Sequence, residues 1–532
     1  MTRYLRYTTF AAAVLAVPLT FWAWQAGLIA GAWTVLAAAL AALGVHDVVQ
    51  SRHSILRNYP ILVHVRFLFE MIRPEIRQYL IESETDAVPF SRQQRAIVYQ
   101  RAKQALDKRP FGTQIDVYAA GFEWINHSIS PAPVADPDFR LSIGGPACRQ
   151  PYDASVFNIS AMSFGALSAN AILALNRGAK MGRFAHDTGE GSISVHHRQH
   201  GGDLIWEIGS GYFGCRDAQG HFDADRFVEN ATGEQVRMIE LKLSQGAKPG
   251  HGGVLPGAKV TAEIAQARGV PVGTDCVSPA SHSAFATPIE LLVFIDRLRT
   301  LSGGKPTGFK LAIGHPWEWF AIAKAMVETG ITPDFIVVDG KEGGTGASPA
   351  EFLDRVGTPM HEALMLVHNT LIGLRLRDRV RLGAAGKITS AFDIARTLAL
   401  GADWCNAARG FMFALGCIQA MNCHTGRCPT GVTSQDPMRQ RALVVPDKAE
   451  RVFNFHHNTL KALAELVAAA GLRHPSELRA HHIVRRVSSN QISLLSALYP
   501  TLEPGELLDG HADSPVFAAY WSRARADRFA QV

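Results

Sequence analysis

The sequence predicts an α/β protein whose main domain is a (β/α)8 TIM barrel, with an N-terminal transmembrane helical hairpin and helical N- and C-terminal extensions. Three observations predict it: strand–helix alternation after residue 155, an uncharged N-terminal run, and glycine-rich loops where strands end. The expected boundaries are 1–50 for the hairpin, 51–150 for a helical and mixed lead-in, 151–440 for the barrel, and 441–532 for a helical extension.

The chain has 532 residues, of which 47% are hydrophobic and 19% charged. This length and composition allow one domain of barrel size together with smaller folded segments. The formal net charge of +6 is not gathered in one basic run, so we predict no nucleic-acid binding. An odd count of seven cysteines in a chain this large argues against a secreted disulfide framework.

Residues 7–46 contain no Asp, Glu, Lys or Arg. One bilayer crossing needs about 20 apolar residues, so this run fits two crossings with a turn at residues 25–27. Trp22, Trp24 and Trp33 lie near that turn, as interfacial aromatic residues do. The run therefore predicts a two-helix anchor in the lipid bilayer.

Basic residues flank the hairpin on both sides. They are Arg3, Arg6, Arg52 and Arg57. Positive flanks predict that both ends, and the main domain that follows, lie in the cytoplasm at the inner membrane. The alternative, a signal peptide, has a shorter apolar region than this. The Arg- and aromatic-rich segment 58–108 either lies along the headgroups or forms a helical collar on the main domain.

From residue 155 onward, short β-rich runs alternate with helical stretches of about 10–15 residues, a pattern typical of parallel βαβ units. Examples are TGFKLAIG followed by EWFAIAKAMVETG, and DFIVVDG followed by EALMLVHNTLIGLRLRD. The number of units favours a closed barrel over an open sheet. Polar and glycine-rich residues follow the strands, at the end where such barrels carry their chemistry.

Two late glycine loops are predicted to bind a phosphate group. They are DGKEGGTGASP at residues 339–349 and GAAGKITS at residues 383–390. Glycines let backbone N–H groups approach phosphate oxygens, and a following helix N-terminus favours negative charge. Tight turns use the same residues, so the order of the two loops along the barrel adds to the interpretation.

Charged residues in the other strands and loops are candidates for chemistry. Lys310 lies inside an apolar strand and either faces a bound cofactor or forms a structural ion pair. Lys242, Gln245 and Lys248 surround a glycine loop suited to a dicarboxylate or a flavin, and Glu190 between two glycines could transfer protons. The alternative for each loop is a solvated turn.

Cys417, Cys423 and Cys428 recur as C-x5-C-x4-C among glycines and a proline. Zinc sites usually use paired CxxC elements and a fourth ligand, which His424 could supply. Inert buried thiols are another alternative. Three thiolates around an iron–sulfur cluster is the favoured interpretation, and a three-iron cluster fits three ligands.

These motifs together resemble the flavin domain of glutamate synthase in its stand-alone, membrane-anchored form. The resemblance spans residues 159–435 and rests on ISAMSFGALS, TGEG, LKLSQGAKPGHGG, GGTGASP and the cysteines followed by PTGVTSQ. It implies FMN in the barrel and a [3Fe-4S] cluster on Cys417, Cys423 and Cys428. It further implies that L-glutamate forms from 2-oxoglutarate and ammonia by hydride transfer from reduced FMN to 2-iminoglutarate, with electrons from ferredoxin or a partner reductase.

The resemblance also assigns roles by position. Glu190 and Lys248 match catalytic loop residues, and Gln245 and Arg268 match positions facing the 2-oxoglutarate carboxylates. The residues expected to contact FMN are Met162, Ser163, Lys310, Gly343, Gly344, Thr345 and Gly386.

The sequence departs from the family pattern in three places near the expected substrate: Ser192, His251 and residues 276–285. They motivate an alternative in which the same cofactors act on another imine, amine or α-keto acid. A further alternative is a non-catalytic membrane electron-transfer subunit. The chain begins Met1-Thr2-Arg3, so we expect no glutamine-hydrolysing domain and ammonia from solution or a partner.

Overall fold

The computed structural model describes residues 6–50, 53–83, 88–510 and 514–531. The chain divides into two units, residues 1–86 and 87–532, which are described in turn.

The N-terminal unit begins with the helices Thr8–Gln25 and Ala32–Val49, each 18 residues long. At 1.5 Å per residue each spans about 27 Å, close to the roughly 30 Å hydrocarbon core of a bilayer. Phe10 lies against Gly44, so the start of one helix packs on the end of the other. Both helices are long and apolar enough to cross a membrane and leave most of their residues exposed. Arg3 and Arg52 of the predicted basic flanks lie outside the described residues.

The hairpin is followed by the helices Ser54–Asn58 and Leu62–Ile76 and a π-helical turn, Arg77–Ile81. Asp47 is buried and holds this segment by accepting hydrogen bonds from the Ile61 N–H and from His64, both at 2.9 Å. The long helix exposes a stripe of apolar side chains spaced three or four residues apart. The strongly exposed apolar residues of this helix are Leu62, Val65, Leu68, Phe69 and Met71.

Eight parallel strands of the second unit close into a barrel, which confirms the predicted (β/α)8 barrel. The last strand pairs with the first through Cys405 and Phe157. The strands are β1 (Phe157–Ile159), β2 (His186–Asp187), β3 (Leu204–Ile208), β4 (Val236–Lys242), β5 (Thr307–Leu311), β6 (Phe335–Asp339), β7 (Arg381–Ala385) and β8 (Trp404–Ala407).

Helices follow the strands and cover the barrel. Several begin at side-chain caps, as at Ser168, Thr287 and Ser390, which each accept a hydrogen bond from the first helical turn. In chain order the helices after the strands are Ala169–Gly182, Val195–Arg198, Ala224–Ala231, Ala262–Arg268, Pro288–Leu301, Pro316–Thr329, Ala350–Arg355, Met360–Gly373, Ala391–Ala399 and Arg409–Leu415.

A two-stranded hairpin, Arg140–Ile143 with Tyr152–Ser155, closes one end of the barrel. Its Ile143 and Tyr152 pack in one apolar cluster with inward side chains of the strands, including Met238. Because this end is filled with apolar groups, polar chemistry is confined to the opposite end, where the strands lead into the helices.

The segment after residue 441, predicted to be helical, is only partly so. Its main element is the 25-residue helix Val445–Ala469, which packs closely enough on the first barrel helix that a Cβ at Gly178 would lie 2.5 Å from Val452. The strands Ile483–Ser488 and Gln491–Leu494 then form a sheet with Glu123–Ile125 of the lead-in. This long-range pairing has no local helical or strand signal strong enough to reveal it. The remaining α-helices in the described part of this unit are Arg92–Ala102, Pro437–Gln440, Leu495–Leu498 and Pro515–Tyr520.

Candidate active site

Glu190 lies in the loop after β2, at the open end of the barrel. The carboxylate of Asp187 accepts the Gly189 N–H at 2.9 Å and so fixes the start of this loop. Gly189 has φ +64°, and a Cβ there would lie 2.6 Å from the Ser163 nitrogen, so glycine is required for the close approach of the two loops. Met162 and Ser163 therefore lie directly beside the Glu190 loop.

Lys242 at the end of β4 forms an ion pair with Glu190, Nζ to Oε2, at 2.7 Å. Lys248, only 3% exposed, donates to the Gly252 carbonyl at 2.6 Å. The loop between them is held by Asp339, whose carboxylate accepts the Gly246 N–H at 2.8 Å. Gln245 precedes that contact and is half-buried.

Arg268 ends the helix Ala262–Arg268 and is buried at the same site. It donates to the Phe164 carbonyl at 3.1 Å, and its guanidinium lies 5.2 Å from the Phe213 ring centroid. A Cβ on Gly191 would lie 3.0 Å from its Nη2, so Arg268 lies against the loop that carries Glu190. The structure thus brings Glu190, Lys248 and Arg268 together, and their roles in catalysis and substrate binding stay a prediction.

The electrostatics of this site favour a bound anion. Burial alone would raise the pKa of Glu190, but Lys242, then Arg268 and Lys248, outweigh it and hold the pKa below the ordinary 4.5. Burial lowers the pKa of Lys248 from its ordinary 10.5. Three cations act on the one carboxylate of Glu190, so the side chains around it favour a ligand of negative charge.

Lys310 points into the barrel interior, where it pairs with Glu207 and, at 3.2 Å, with Glu240. The ligand oxygens of Asp187, Glu207 and Glu240 lie within 4.8 Å of one another. Burial, with the neighbouring Asp187 and Asp339, raises the pKa of Glu240 well above 4.5. The Lys310 ammonium is thus the cation that pairs with these carboxylates. This arrangement agrees with the predicted alternative in which Lys310 forms a structural ion pair. Its contact with FMN stays a prediction.

The two predicted phosphate loops follow β6 and β7. In the described chain, the backbone N–H groups of Gly343, Gly344, Thr345 and Gly386 donate to no other backbone carbonyl. Arg409, at the start of the helix after β8, donates to the Gly344 carbonyl at 2.8 Å. Free N–H donors beside a helix N-terminus and an arginine fit a phosphate group, so the residues present are suited to a phosphorylated flavin.

Cys417, Cys423 and Cys428 lie in one loop after the helix Arg409–Leu415. Burial raises the pKa of Cys417 to about 11. At Cys428 burial acts the same way, but hydrogen bonds from Thr430 and Thr433 outweigh it and lower the pKa. This donor set of thiols on a glycine-rich loop fits a thiolate-ligated cluster.

The cysteine loop and the first glycine loop are in contact. A Cβ on Gly346 would lie 3.2 Å from the Cys423 carbonyl carbon and 3.1 Å from the His424 nitrogen. Only glycine permits this approach without a shift of the backbone. The predicted cluster and the predicted phosphate site are therefore adjacent.

Several residues of the site escaped prediction. The buried carboxylates Glu207 and Glu240 lie at inward positions of the apolar strands LIWEI and VRMIELK. A charged residue inside an apolar strand is the sequence feature that could have indicated them. Asp187 and Asp339 end their strands and hold the loops that follow. The sequence identifies Lys242 as a cation near a glycine loop. It does not predict the ion pair with Glu190, because that pair depends on how close the ends of two strands lie in space.

We predict that Gly246→Ala disrupts this site, because the new Cβ would lie 1.8 Å from the Gly340 carbonyl oxygen. The loop carrying Gln245 and Lys248 would have to move away from Asp339. A displacement of this kind costs about 100-fold in catalytic efficiency. The measurement is kcat/KM, and the matched control is Gly314→Ala, where a Cβ meets nothing within 4 Å. Equal activity of both variants would contradict the described loop geometry.

Comparison with known proteins places this architecture in a family. The profile described as the conserved region in glutamate synthase matches residues 149–473. A glutamate synthase large subunit-like protein of Bacillus subtilis, YerD, is 36% identical over 523 residues, covering 91% of this chain and 96% of that protein. An archaeal-type NADPH glutamate synthase of Thermotoga neapolitana is 34% identical over 323 residues, 60% of each chain.

The glutamate synthase NADPH large chain of Azospirillum brasilense is 32% identical over 357 residues, covering 65% of this chain and 22% of that one. This chain thus spans nearly all of the Bacillus protein and about 60% of the archaeal-type enzyme. Among solved structures, a flavocytochrome b2 double mutant with bound pyruvate aligns with a TM-score of 0.41 at 13% identity, covering 85% of this chain and 92% of that one.

A closed (β/α)8 barrel with a charged site at the open end of its strands defines an enzyme of the barrel class. The chain belongs to the glutamate synthase family and is a glutamate synthase-like oxidoreductase.

Proposed function

We propose that this chain is an FMN- and iron–sulfur-dependent oxidoreductase that forms L-glutamate from 2-oxoglutarate and ammonia. The observation that carries the proposal is the pairing of one carboxylate with three cations. Glu190 is bound by Lys242 at 2.7 Å and influenced by Lys248 and Arg268. The excess of cations around Glu190 suits a dicarboxylate such as 2-oxoglutarate.

The roles of the residues follow from this geometry. Arg268 and Lys248, both buried, would bind and orient the two carboxylates and exclude water. Glu190, kept ionised by Lys242, would accept a proton from the ammonia nitrogen as it adds to the carbonyl carbon of 2-oxoglutarate. Gln245 would donate a hydrogen bond to the substrate, beside the anchoring contact of Gly246 with Asp339.

Two cofactors would complete the site. FMN would supply hydride chemistry, with its phosphate held by Gly343, Gly344, Thr345 and Gly386. A [3Fe-4S] cluster on Cys417, Cys423 and Cys428 would deliver electrons one at a time from ferredoxin or a partner reductase. Met162 and Ser163 would contact the flavin from the side of the Glu190 loop, and Lys310 from the barrel interior.

The direct test is turnover. Purified full-length protein with reduced ferredoxin, 2-oxoglutarate and ammonium should produce glutamate, and omission of any one should abolish it. Absence of glutamate from protein that contains both cofactors would contradict the substrate assignment. Flavin reoxidation by other α-keto acids or imines would then support the second candidate. That candidate is motivated by the segment 276–285, whose His282 joins Tyr212 at 3.0 Å to the Lys242 carbonyl at 2.9 Å.

Substrate binding should weaken at alkaline pH. Because burial lowers the pKa of Lys248 from 10.5, its positive charge is present below that lowered pKa and is lost as pH rises through it. We expect KM for 2-oxoglutarate to rise in this range, earlier than an ordinary lysine would allow. Lys248→Arg should move the rise to higher pH, because guanidinium stays protonated. A pH-independent KM in both proteins would contradict this role.

We also propose that the N-terminal helices anchor the chain in the inner membrane, with the catalytic unit in the cytoplasm. Support comes from their length, their exposed apolar surface and the exposed apolar stripe of Leu62–Ile76, bordered by Arg66 and Arg73. The protein should remain in the membrane pellet after carbonate extraction. A variant lacking residues 1–50 should be released, and release of the full chain would contradict the anchor.

A further inference from the structure

Lys259 is a buried lysine that contacts the cysteine loop. It ends the 3-10 turn Gly257–Lys259 in the long segment between β4 and β5 and is 9% exposed. Its ammonium donates to the Cys423 carbonyl at 2.7 Å, and its Cε lies 3.8 Å from the Cβ position of Gly426. Lys259 therefore reaches across from the substrate-binding segment to the loop that carries the three cysteines.

The position of Lys259 is fixed from both sides. The Gly257 N–H is held by Asp275 at 2.6 Å, and the Gly273 N–H donates to the Val260 carbonyl at 3.1 Å. Two residues later, Thr261 caps the helix that ends at Arg268. The ammonium is thus held in place by the same segment that presents the substrate-site arginine.

The charge of Lys259 has no partner carboxylate in the part of the chain that the structure describes. Among the described residues, burial lowers the pKa of Lys259, and the groups that act on its charge are Cys423 and Cys428 in their thiolate form. A buried ammonium is costly unless it is paired. A group of negative charge at the cysteines, in contact with this carbonyl-bound ammonium, would provide the missing counter-charge.

We propose that Lys259 is a positioning residue that raises the reduction potential of the cluster bound by Cys417, Cys423 and Cys428. The inference rests on the proposed cluster. Thiolate-ligated clusters carry net negative charge, which grows by one unit when the cluster accepts an electron and no bond is made or broken. A fixed cation beside the ligands stabilises that added charge, and net charge and hydrogen bonding set the potentials of such clusters.

The test is a redox titration of the cluster, monitored by EPR, on detergent-solubilised full-length protein. Lys259→Gln keeps a hydrogen-bond donor but removes the charge, whereas Lys259→Arg keeps the charge. We expect a more negative midpoint potential in Lys259→Gln and little change in Lys259→Arg. The matched control is Lys305→Gln, because Lys305 is 6% exposed and also donates to backbone carbonyls, of Ala231 and Gly233, both at 2.7 Å.

The outcomes are distinguishable. A wild-type potential in Lys259→Gln with full iron content, or an equal shift in Lys305→Gln, overturns the inference and leaves the proposed function intact. Loss of iron in Lys259→Gln but not in Lys259→Arg would show that the cluster needs the positive charge of Lys259. Loss of iron in both variants would overturn the inference. Wild-type protein without an iron–sulfur cluster overturns this inference and the proposed cluster together, whatever the glutamate assay shows.

Discussion

Replacing Glu190 by glutamine should lower kcat for glutamate formation by about 100- to 1,000-fold, within the range that a lost general acid–base group costs. Glutamine preserves the shape of the side chain but cannot accept a proton, and it leaves Lys242 without its counter-ion at 2.7 Å. Flavin and iron content should be unchanged, because neither the glycine loops nor the cysteine loop contains Glu190. The measurement is steady-state turnover with both cofactors quantified on the same sample.

A suitable control is Glu263→Gln, on the nearby helix Ala262–Arg268. Its carboxylate is 62% exposed and pairs with His196 at 3.1 Å, so turnover should stay near the wild-type value. Wild-type turnover in Glu190→Gln would contradict a catalytic role. If the cellular function also survived in that variant, the non-catalytic electron-transfer alternative would gain support.

Replacing Cys428 by serine should remove the iron and abolish ferredoxin-dependent turnover. Cys428 is buried, and its lowered pKa reflects hydrogen bonds that stabilise the thiolate needed for metal ligation. FMN should remain bound, because its expected phosphate ligands are in the loops after β6 and β7. Iron analysis, flavin content and turnover on the same preparation check the three parts of this prediction.

The matched control for the cysteine is Cys148→Ser. Cys148 is half-buried and its thiol donates to the Gly304 carbonyl at 3.3 Å, far in sequence from the cysteine loop. Iron content should be unaffected there. Zinc in place of iron in the wild-type protein, or iron retained in Cys428→Ser, would contradict the assigned ligands.

The barrel was predictable because its signal is local. Apolar strands such as DFIVV are buried on both faces and must be covered by helices, and their repetition leaves few topologies. The residues Glu190, Lys248 and Arg268 are far apart in sequence, and their assignment came from family motifs. The structure adds that their side chains share one site.

What could not be predicted depends on distances between strands. Three of these contacts join residues that are 52 or more positions apart: Lys242 with Glu190, Gly246 with Asp339, and Lys259 with Cys423. The contact of Asp187 with Gly189 is local, but it depends on the direction of a backbone N–H group. The C-terminal strand Ile483–Ser488 pairs with Glu123–Ile125 for the same reason. Such contacts leave no periodic pattern in either segment.

The most direct test of the central claim is the cofactor content of the full-length protein, purified in detergent without oxygen and analysed by visible spectrum, flavin extraction and metal analysis. The proposed function predicts one FMN and a three-iron cluster per chain. Absence of flavin, zinc instead of iron, or four irons per chain would contradict it.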